Sequence, residues 1–204
     1  MSFMDTKKHI INRSIELFTR SGIRLVTMDQ IAANAGISKR TIYEIFKDKN
    51  DLLEKCIEEL SKVHRAELQE ILDKSENVIE ALFRIGQHGE KKRSSISPLF
   101  FEDLDKLYPE IRKRLIKITL SGKDTITFRI LKTGIRDGVF RKEINIEIVD
   151  VFIHEMMKIC SRNELFPENS TTQEIIKSIV VPFFRGISTA KGNELLDKHL
   201  QEIF

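Results

Sequence analysis

Residues 36–49, GISKRTIYEIFKDK, place two adjacent cations and a tyrosine on a short amphipathic segment. At 100° per residue, Ile42 and Phe46 share one face of a helix, whereas Arg40 and Tyr43 lie on the opposite face. Lys and Arg at the start of a helix can donate hydrogen bonds to phosphates and base edges. The pattern therefore predicts a helix that contacts a polyanion, and the alternative is a surface helix with ordinary solvated charges.

A second helix is predicted immediately before this one. Thr27 and Gln30 have the spacing of a capping box, which starts a helix at Met28. Gly36 supplies a tight turn, and Ser38 is placed to cap the following helix. These signals predict a helix-turn-helix, whose second helix enters the major groove of DNA with its N-terminal residues at the bases.

Residues 8–55 resemble the DNA-binding domain of the TetR (tetracycline-repressor-like) family. The resemblance rests on residues distributed through the whole segment: Ile11 to Phe18, Gly22, Thr27-Met28 through Ile31-Ala32, Ala35-Gly36-Ile37-Ser38, Thr41-Ile42-Tyr43, Phe46, Lys49 and Leu52-Leu53. It implies phosphate contacts from Thr27, Ser38, Tyr43 and Lys49. It also implies base contacts from Lys39, Arg40 and Thr41, with Lys47 assisting. Two residues depart from the pattern: Ile45 replaces a frequent His or Tyr, and Glu44 adds an anion to the groove-facing side.

Composition agrees with an all-α protein that meets a polyanion at one end. Of the 204 residues, only nine are Gly and four are Pro, and the net charge is +3. Residues 1–50 hold nine Lys/Arg against five Asp/Glu, so the basic excess lies in the first quarter. No apolar run approaches the ~18 residues of a membrane span. Cys56 and Cys160 form no metal-binding spacing, which favours two core thiols in a cytoplasmic protein without cofactor or metal.

The apolar periodicity beyond residue 50 predicts further helices. They are expected over 48–73, 75–88 after a Ser75 cap, from Pro98, 109–137, 145–161, 171–190 with a kink at Pro182, and 193–203. The segment 89–95 is expected to be a loop. Two domains are predicted, a DNA-binding domain over 1–50 and an effector-binding and dimerisation domain over 51–204.

The family resemblance implies a cavity for a small, largely apolar effector in the second domain. Candidate lining residues come from several helices: Phe83, His88, Phe100, Phe101, Leu104, Phe128, Leu131, Met156 and Cys160. Candidate polar groups that orient the effector are His88, Thr125, Arg129 and His154. The alternative for each apolar residue is an ordinary place in the core.

The helix predicted over 171–190 is apolar nearly all round and must be covered on both sides. A second copy of the chain is the expected cover, through the helices near 146–160 and 171–190. The predicted interface residues are apolar side chains of these helices: Ile153, Met157, Ile176, Val180, Phe183, Phe184 and Ile187.

No catalytic arrangement is apparent in the sequence. His154-Glu155 begins like a zinc-protease helix but lacks the second His four residues later. The sequence is best interpreted as a homodimeric repressor that binds a (pseudo)palindromic operator in double-stranded DNA and is released by an effector. Two alternatives stay open, a DNA-binding dimer without an effector, and a helical enzyme or adaptor that carries a helix-turn-helix.

Overall fold

The computed structural model describes residues 3–120, 125–160 and 162–203, and the secondary structure of these residues is helical apart from one isolated bridge between Phe140 and Ser188. The first half contains α1 (Phe3–Ser21), α2 (Met28–Ala35), α3 (Lys39–Ile45), α4 (Lys49–Lys74), α5 (Val78–Ser94), α6 (Pro98–Leu107) and α7 (Pro109–Leu120). The second half contains α8 (Ile126–Arg136), α9 (Ile146–Cys160), a 3-10 turn (Asn163–Leu165), α10 (Thr172–Ile175), a π-helical turn (Ile176–Val180), α11 (Val181–Ile187) and α12 (Ala190–Ile203). The predicted all-α class is confirmed.

The chain divides into two compact units. Unit 1 comprises Met1–Glu67 and Gln87–Thr119, and unit 2 comprises Leu68–Gly86 and Leu120–Phe204. Unit 1 is therefore larger than the predicted DNA-binding domain over 1–50. The division of function between 1–50 and 51–204 stays a prediction.

The core of unit 1 is built from both of its segments. Phe18 of α1 and Ile42 of α3 are fully buried together with Phe100 and Leu104 of α6. Because α6 fills this core, the helix-turn-helix is packed by residues that lie more than 50 positions further along the chain.

The core of unit 2 collects apolar residues from α5, α8, α9, α11 and α12. Leu131 and Phe140 are almost completely buried, and Met156 and Phe184 pack in the same cluster. Gly134 lies directly under the Phe140 ring, since a Cβ built there would come within 2.2 Å of Phe140 Cδ2. Glycine is required at this position to allow the aromatic ring to approach α8.

Helix α5 differs from the prediction at both ends. It continues to Ser94, so the segment 89–95 predicted as a loop is helical almost throughout. It begins at Val78, where the Asn77 side-chain oxygen accepts hydrogen bonds from the backbone N–H groups of Ile79 and Glu80 at 3.0 Å. The predicted cap, Ser75, instead donates its hydroxyl hydrogen to the Ile71 carbonyl.

Two longer helical stretches are interrupted. The stretch predicted over 109–137 comprises α7 and α8, because Thr125 caps a new helix by accepting a hydrogen bond from Phe128 N at 3.0 Å. Residues 121–124 lie outside the described part. The stretch predicted over 171–190 contains the π-helical turn that ends one residue before α11, whose second residue is Pro182. A proline lacks the N–H of a regular helical bond, and the change of helix type occurs immediately before it.

None of the described helices is both long enough and apolar enough to span a bilayer.

Candidate nucleic-acid interface

The turn between α2 and α3 is fixed by local hydrogen bonds. Thr27 caps α2, since its hydroxyl oxygen accepts from Gln30 N at 3.2 Å and its own N–H donates to Gln30 Oε1 at 2.8 Å. Gly36 has φ +64°, in the left-handed region, and closes α2. Ser38 Oγ then accepts from Thr41 N at 3.0 Å and starts α3. The predicted caps are all present, so the chain direction into α3 is set within a dozen residues.

Helix α3 is held by its apolar face and presents its polar face to solvent. Ile42 is fully buried, and Phe46 at the C-cap is almost fully buried. On the opposite side, the Arg40 side chain is 88% exposed and Tyr43 is 47% exposed. The helix therefore offers donors on a surface that no described residue of the chain covers.

Both cations at the start of α3 are paired with carboxylates. Lys39 Nζ lies 2.7 Å from Asp29 Oδ1, and this hydrogen bond raises the pKa of Lys39 above its usual range. Arg40 Nε donates to Glu44 Oε1 at 2.8 Å. Exposed ion pairs are screened by solvent and contribute little to stability, so either cation can exchange its carboxylate for a phosphate or a base edge at small cost.

Lys49 has a different environment from the other predicted DNA contacts. Its ammonium donates to the Ile23 carbonyl at 2.6 Å and lies 6.0 Å from the centre of the Phe18 ring. Burial lowers the pKa of Lys49. The residue predicted to bind phosphate thus holds the loop before α2 within the protein itself.

The same loop is held from the other side by a residue that sequence analysis missed. Asp103 of α6 accepts hydrogen bonds from the backbone N–H groups of Ile23 and Arg24, both at 2.7 Å. Gly22, with φ +81°, packs against Leu99 and Asp103. No local sequence motif indicates this role of Asp103, because its hydrogen-bond partners lie about 80 residues earlier in the chain.

The predicted DNA-contacting residues all lie within residues 27–49 of unit 1. Ser38, Lys39, Arg40, Thr41 and Tyr43 all lie on α3 or its cap. Thr27 lies at the start of α2, and Lys47 is exposed in the turn that leads into α4. The arrangement is a helix-turn-helix with an exposed, donor-rich second helix.

The predicted effector-pocket residues are divided between the two units. Phe100 and Leu104 are buried in the unit 1 core, with Phe101 in edge contact with Phe100 at 5.5 Å between ring centres. His88 is also in unit 1, where its Nε2 lies 3.2 Å from Glu67 Oε2. Those four residues are accounted for by contacts inside unit 1.

The remaining five pocket candidates lie in unit 2. Leu131 and Met156 are buried in its core, whereas Phe83, Phe128 and Cys160 are half-buried. The Phe83 ring lies 4.8 Å from the His199 ring.

The candidate orienting groups of unit 2 already have partners. Thr125 Oγ1 donates to the buried carboxylate of Asp150 at 3.0 Å, and His154 Nδ1 donates to the Asp150 backbone carbonyl at 2.8 Å. Arg129 donates to Gln69 Oε1 at 2.7 Å.

A groove of about 440 Å³ lies elsewhere on unit 2. Its lining residues are Lys177, Val181, Arg185, Asp197, Leu200 and Gln201. It contains none of the predicted effector-pocket residues.

The predicted interface residues are of two kinds. Ile153 and Phe184 are buried in the core of unit 2, so they do not form an outward-facing surface. Ile176, Val180, Phe183 and Ile187 are half-buried, and Met157 is 44% exposed. The outward apolar face of α9 consists of other residues, spaced three, four and seven positions apart: Ile148, Val151, Phe152 and Ile159.

Comparison with known proteins identifies this arrangement. Residues 10–56 match the family model of bacterial regulatory proteins of the tetR family. Residues 10–56 therefore form a DNA-binding domain of the tetR-family type. The match covers α1 from Ile10 onward, α2, α3 and the start of α4, which includes every predicted DNA contact.

Similar proteins extend the likeness beyond the helix-turn-helix. The chain is 29% identical over 140 residues to the uncharacterized HTH-type transcriptional regulator YhgD of Bacillus subtilis, covering 67% of this chain and 70% of that protein. It is 20% identical to the HTH-type transcriptional repressor KstR2 of Mycolicibacterium smegmatis, covering 95% and 94%. The crystal structure of a TetR-family transcriptional regulator from Cytophaga hutchinsonii superposes with a TM-score of 0.73 at 16% identity, covering 93% and 98%. All three of these similar proteins are named as transcriptional regulators.

Proposed function

We propose that this TetR-family chain is a homodimeric transcriptional repressor, which binds a (pseudo)palindromic operator and releases it when a small, largely apolar effector binds. The observation that carries the proposal is the exposed polar face of α3, where Arg40 is 88% exposed beside Ser38, Lys39 and Tyr43. Family regulators bind operator DNA as dimers and bind effectors. A role at operator DNA assigns the chain to the cytoplasm.

The geometry of α3 supports direct reading of bases. With Ile42 and Phe46 buried, the helix axis is fixed and the opposite face enters the major groove. Arg40 is the residue best suited to specificity, because a guanidinium can bind guanine O6 and N7 together. The hydroxyl groups of Ser38 and Tyr43 suit phosphate contacts, which set the position of the helix without reading sequence.

The exposed apolar face of α9 supports dimerisation. Ile148 is 67% exposed and Phe152 is 51% exposed, and the Phe152 ring packs at 4.9 Å against Phe183. A contiguous apolar surface of this kind marks an interaction site. Covering it with a second copy forms an isologous interface and positions two α3 helices for half-sites ~34–36 Å apart.

The proposed effector site is restricted to unit 2. Cys160 of α9 is half-buried and packs against the cluster that contains Leu131 and Met156, and Phe128 of α8 is half-buried in the same unit. An effector that binds one arrangement of these helices more tightly shifts the population toward that arrangement. We propose that this change reaches α4, whose last residues belong to unit 2, and changes the spacing of the two α3 helices.

The test is fluorescence anisotropy of the full chain with DNA from upstream of its own gene and with scrambled DNA, across a salt series. The expected result is saturable preference for the upstream fragment, with an affinity that falls steeply with salt. Arg40→Ala should weaken the preference, and Arg136→Ala on unit 2 serves as the matched control. Equal binding to both DNAs would overturn sequence-specific recognition at this fragment.

A further inference from the structure

Three side chains with metal-ligating atoms converge between α4 and α5 within unit 1. His64 and Glu67 lie three residues apart on α4, so they share a face of that helix. His88 reaches the same point from α5. One ligand atom from each residue lies within 4.8 Å of the others.

The distances already approach those of a coordination shell. His88 Nε2 lies 3.2 Å from Glu67 Oε2, and His64 Nδ1 lies 3.9 Å from the same oxygen. Ligand atoms around a tetrahedral zinc ion with bonds of about 2.0–2.2 Å are roughly 3.4 Å apart. Small side-chain rotations therefore bring all three atoms to one ion.

His64 has an unused nitrogen pointing into the cluster. Its Nδ1 atom is buried and accepts or donates no hydrogen bond to a described residue. A metal ion bound here would give this buried nitrogen the partner that it lacks.

A cation already occupies the shared oxygen. The ammonium of Lys92 binds Glu67 Oε2, the same atom that His88 contacts. The Lys92 side chain is 26% exposed and has a flexible stem, so it can withdraw to solvent. The carboxylate is thus arranged to bind one positive group at a time.

We propose that His64, Glu67 and His88 form a binding site for a divalent transition-metal ion such as Zn²⁺, which displaces the Lys92 ammonium. Two imidazoles and one carboxylate are a donor set that zinc, cobalt and nickel accept, and water completes the tetrahedron. Mg²⁺ and Ca²⁺ prefer oxygen ligands and are excluded by the two nitrogen donors. The proposal concerns ion binding by unit 1 and does not depend on the proposed repressor function.

The experiment is titration of the metal-free full-length protein with Co²⁺, followed by visible absorption, and competition with Zn²⁺. The wild-type chain should bind one ion per chain, with an absorption band in the visible region that Zn²⁺ abolishes. Glu67→Gln and His88→Ala should each weaken binding at least tenfold, because each removes a ligand. His199→Gln and Cys160→Ser, which alter a histidine and a thiol outside the cluster, should bind as the wild type does.

Lys92→Gln gives a result that misfolding cannot imitate. Removal of the competing ammonium should tighten Co²⁺ binding, whereas a loss of structure can only weaken it. The proposal is overturned if wild type and Lys92→Gln both lack the visible band, or if Glu67→Gln and His88→Ala bind with wild-type affinity.

Discussion

The Lys49 ammonium donates a hydrogen bond to the Ile23 carbonyl oxygen at 2.6 Å. The first residue of α4 thereby holds the loop that leads into α2. The N–H of Ile23 donates in turn to Asp103. Ile23, which lies just before the helix-turn-helix, is therefore bound at its carbonyl by α4 and at its amide by α6.

Lys49→Met should destabilise the protein without greatly changing its charge-dependent contacts with DNA. The substitution leaves the Ile23 carbonyl without its donor, which should lower the free energy of unfolding by about 1–2 kcal/mol. Urea denaturation measures this loss. Lys47→Met is the matched control, since Lys47 is exposed two residues earlier and should cost less than about 0.5 kcal/mol. Equal stability of the two variants would contradict a structural role for Lys49.

Asp103→Ala should be among the more damaging single changes in unit 1. It leaves two backbone N–H donors without the carboxylate that accepts both at 2.7 Å, and about 2–3 kcal/mol of stability should be lost. Asp105→Ala removes a carboxylate on the same helix that only pairs with Arg112 at the surface. Thermal unfolding should separate the two variants, and a similar melting temperature for both would rule out this role of Asp103.

Arg40 and Glu44 should have opposite effects on DNA binding. Arg40→Ala should reduce specific affinity by about 1–3 kcal/mol, because a base contact is lost. Glu44→Gln releases Arg40 from its carboxylate and removes an anion from the DNA-facing side, so affinity for operator and scrambled DNA should both rise. Anisotropy titrations at one salt concentration measure both changes. Weaker binding by Glu44→Gln would instead indicate that Glu44 accepts a hydrogen bond from a base.

Two glycine substitutions in helices should change stability in opposite directions. Gly134→Ala places a methyl group within 2.2 Å of the Phe140 ring, and overpacking should cost about 1–3 kcal/mol. Gly89→Ala on α5 meets nothing within 4 Å and should stabilise the helix by about 0.5–1 kcal/mol. Urea denaturation of both variants tests the packing of Phe140 against α8.

Phe152→Glu should convert the proposed dimer to monomers. A charge in the centre of the exposed apolar face of α9 cannot be buried against a second copy without a large penalty. Sedimentation velocity measures the change. Leu165→Glu is the control, since Leu165 is 51% exposed outside that face. A Phe152→Glu protein that stays dimeric would move the interface elsewhere.

The helix-turn-helix could be predicted from sequence because its signals are local. The caps at Thr27 and Ser38 and the turn at Gly36 each act within three or four residues. The continuation of α5 to Ser94 is not predicted by the sequence, for the opposite reason. His88 and Lys92 both contact Glu67 on another helix, whereas the glycine at the start of the segment, Gly89, is typical of a loop. Helix propensity is a weak prior that such tertiary contacts override.

The residues predicted for the dimer interface show a second limit. A helix that is apolar nearly all round does not indicate which side meets its own core. Phe184 and Ile153 lie inside unit 2, while Ile148 and Phe152 face outward. The packing of neighbouring helices determines which side of such a helix faces the core.

The two hydrogen bonds to Asp103 limit how freely the helix-turn-helix can be exchanged between related proteins. A chimaera that joins the first fifty residues to the body of a relative would lose the carboxylate that holds the amides of Ile23 and Arg24, together with the α6 side chains that complete the core. Such a graft would keep every DNA-contacting side chain and still position them poorly. In this protein the transplantable module is discontinuous, and a working graft would have to carry α6 with the helix-turn-helix.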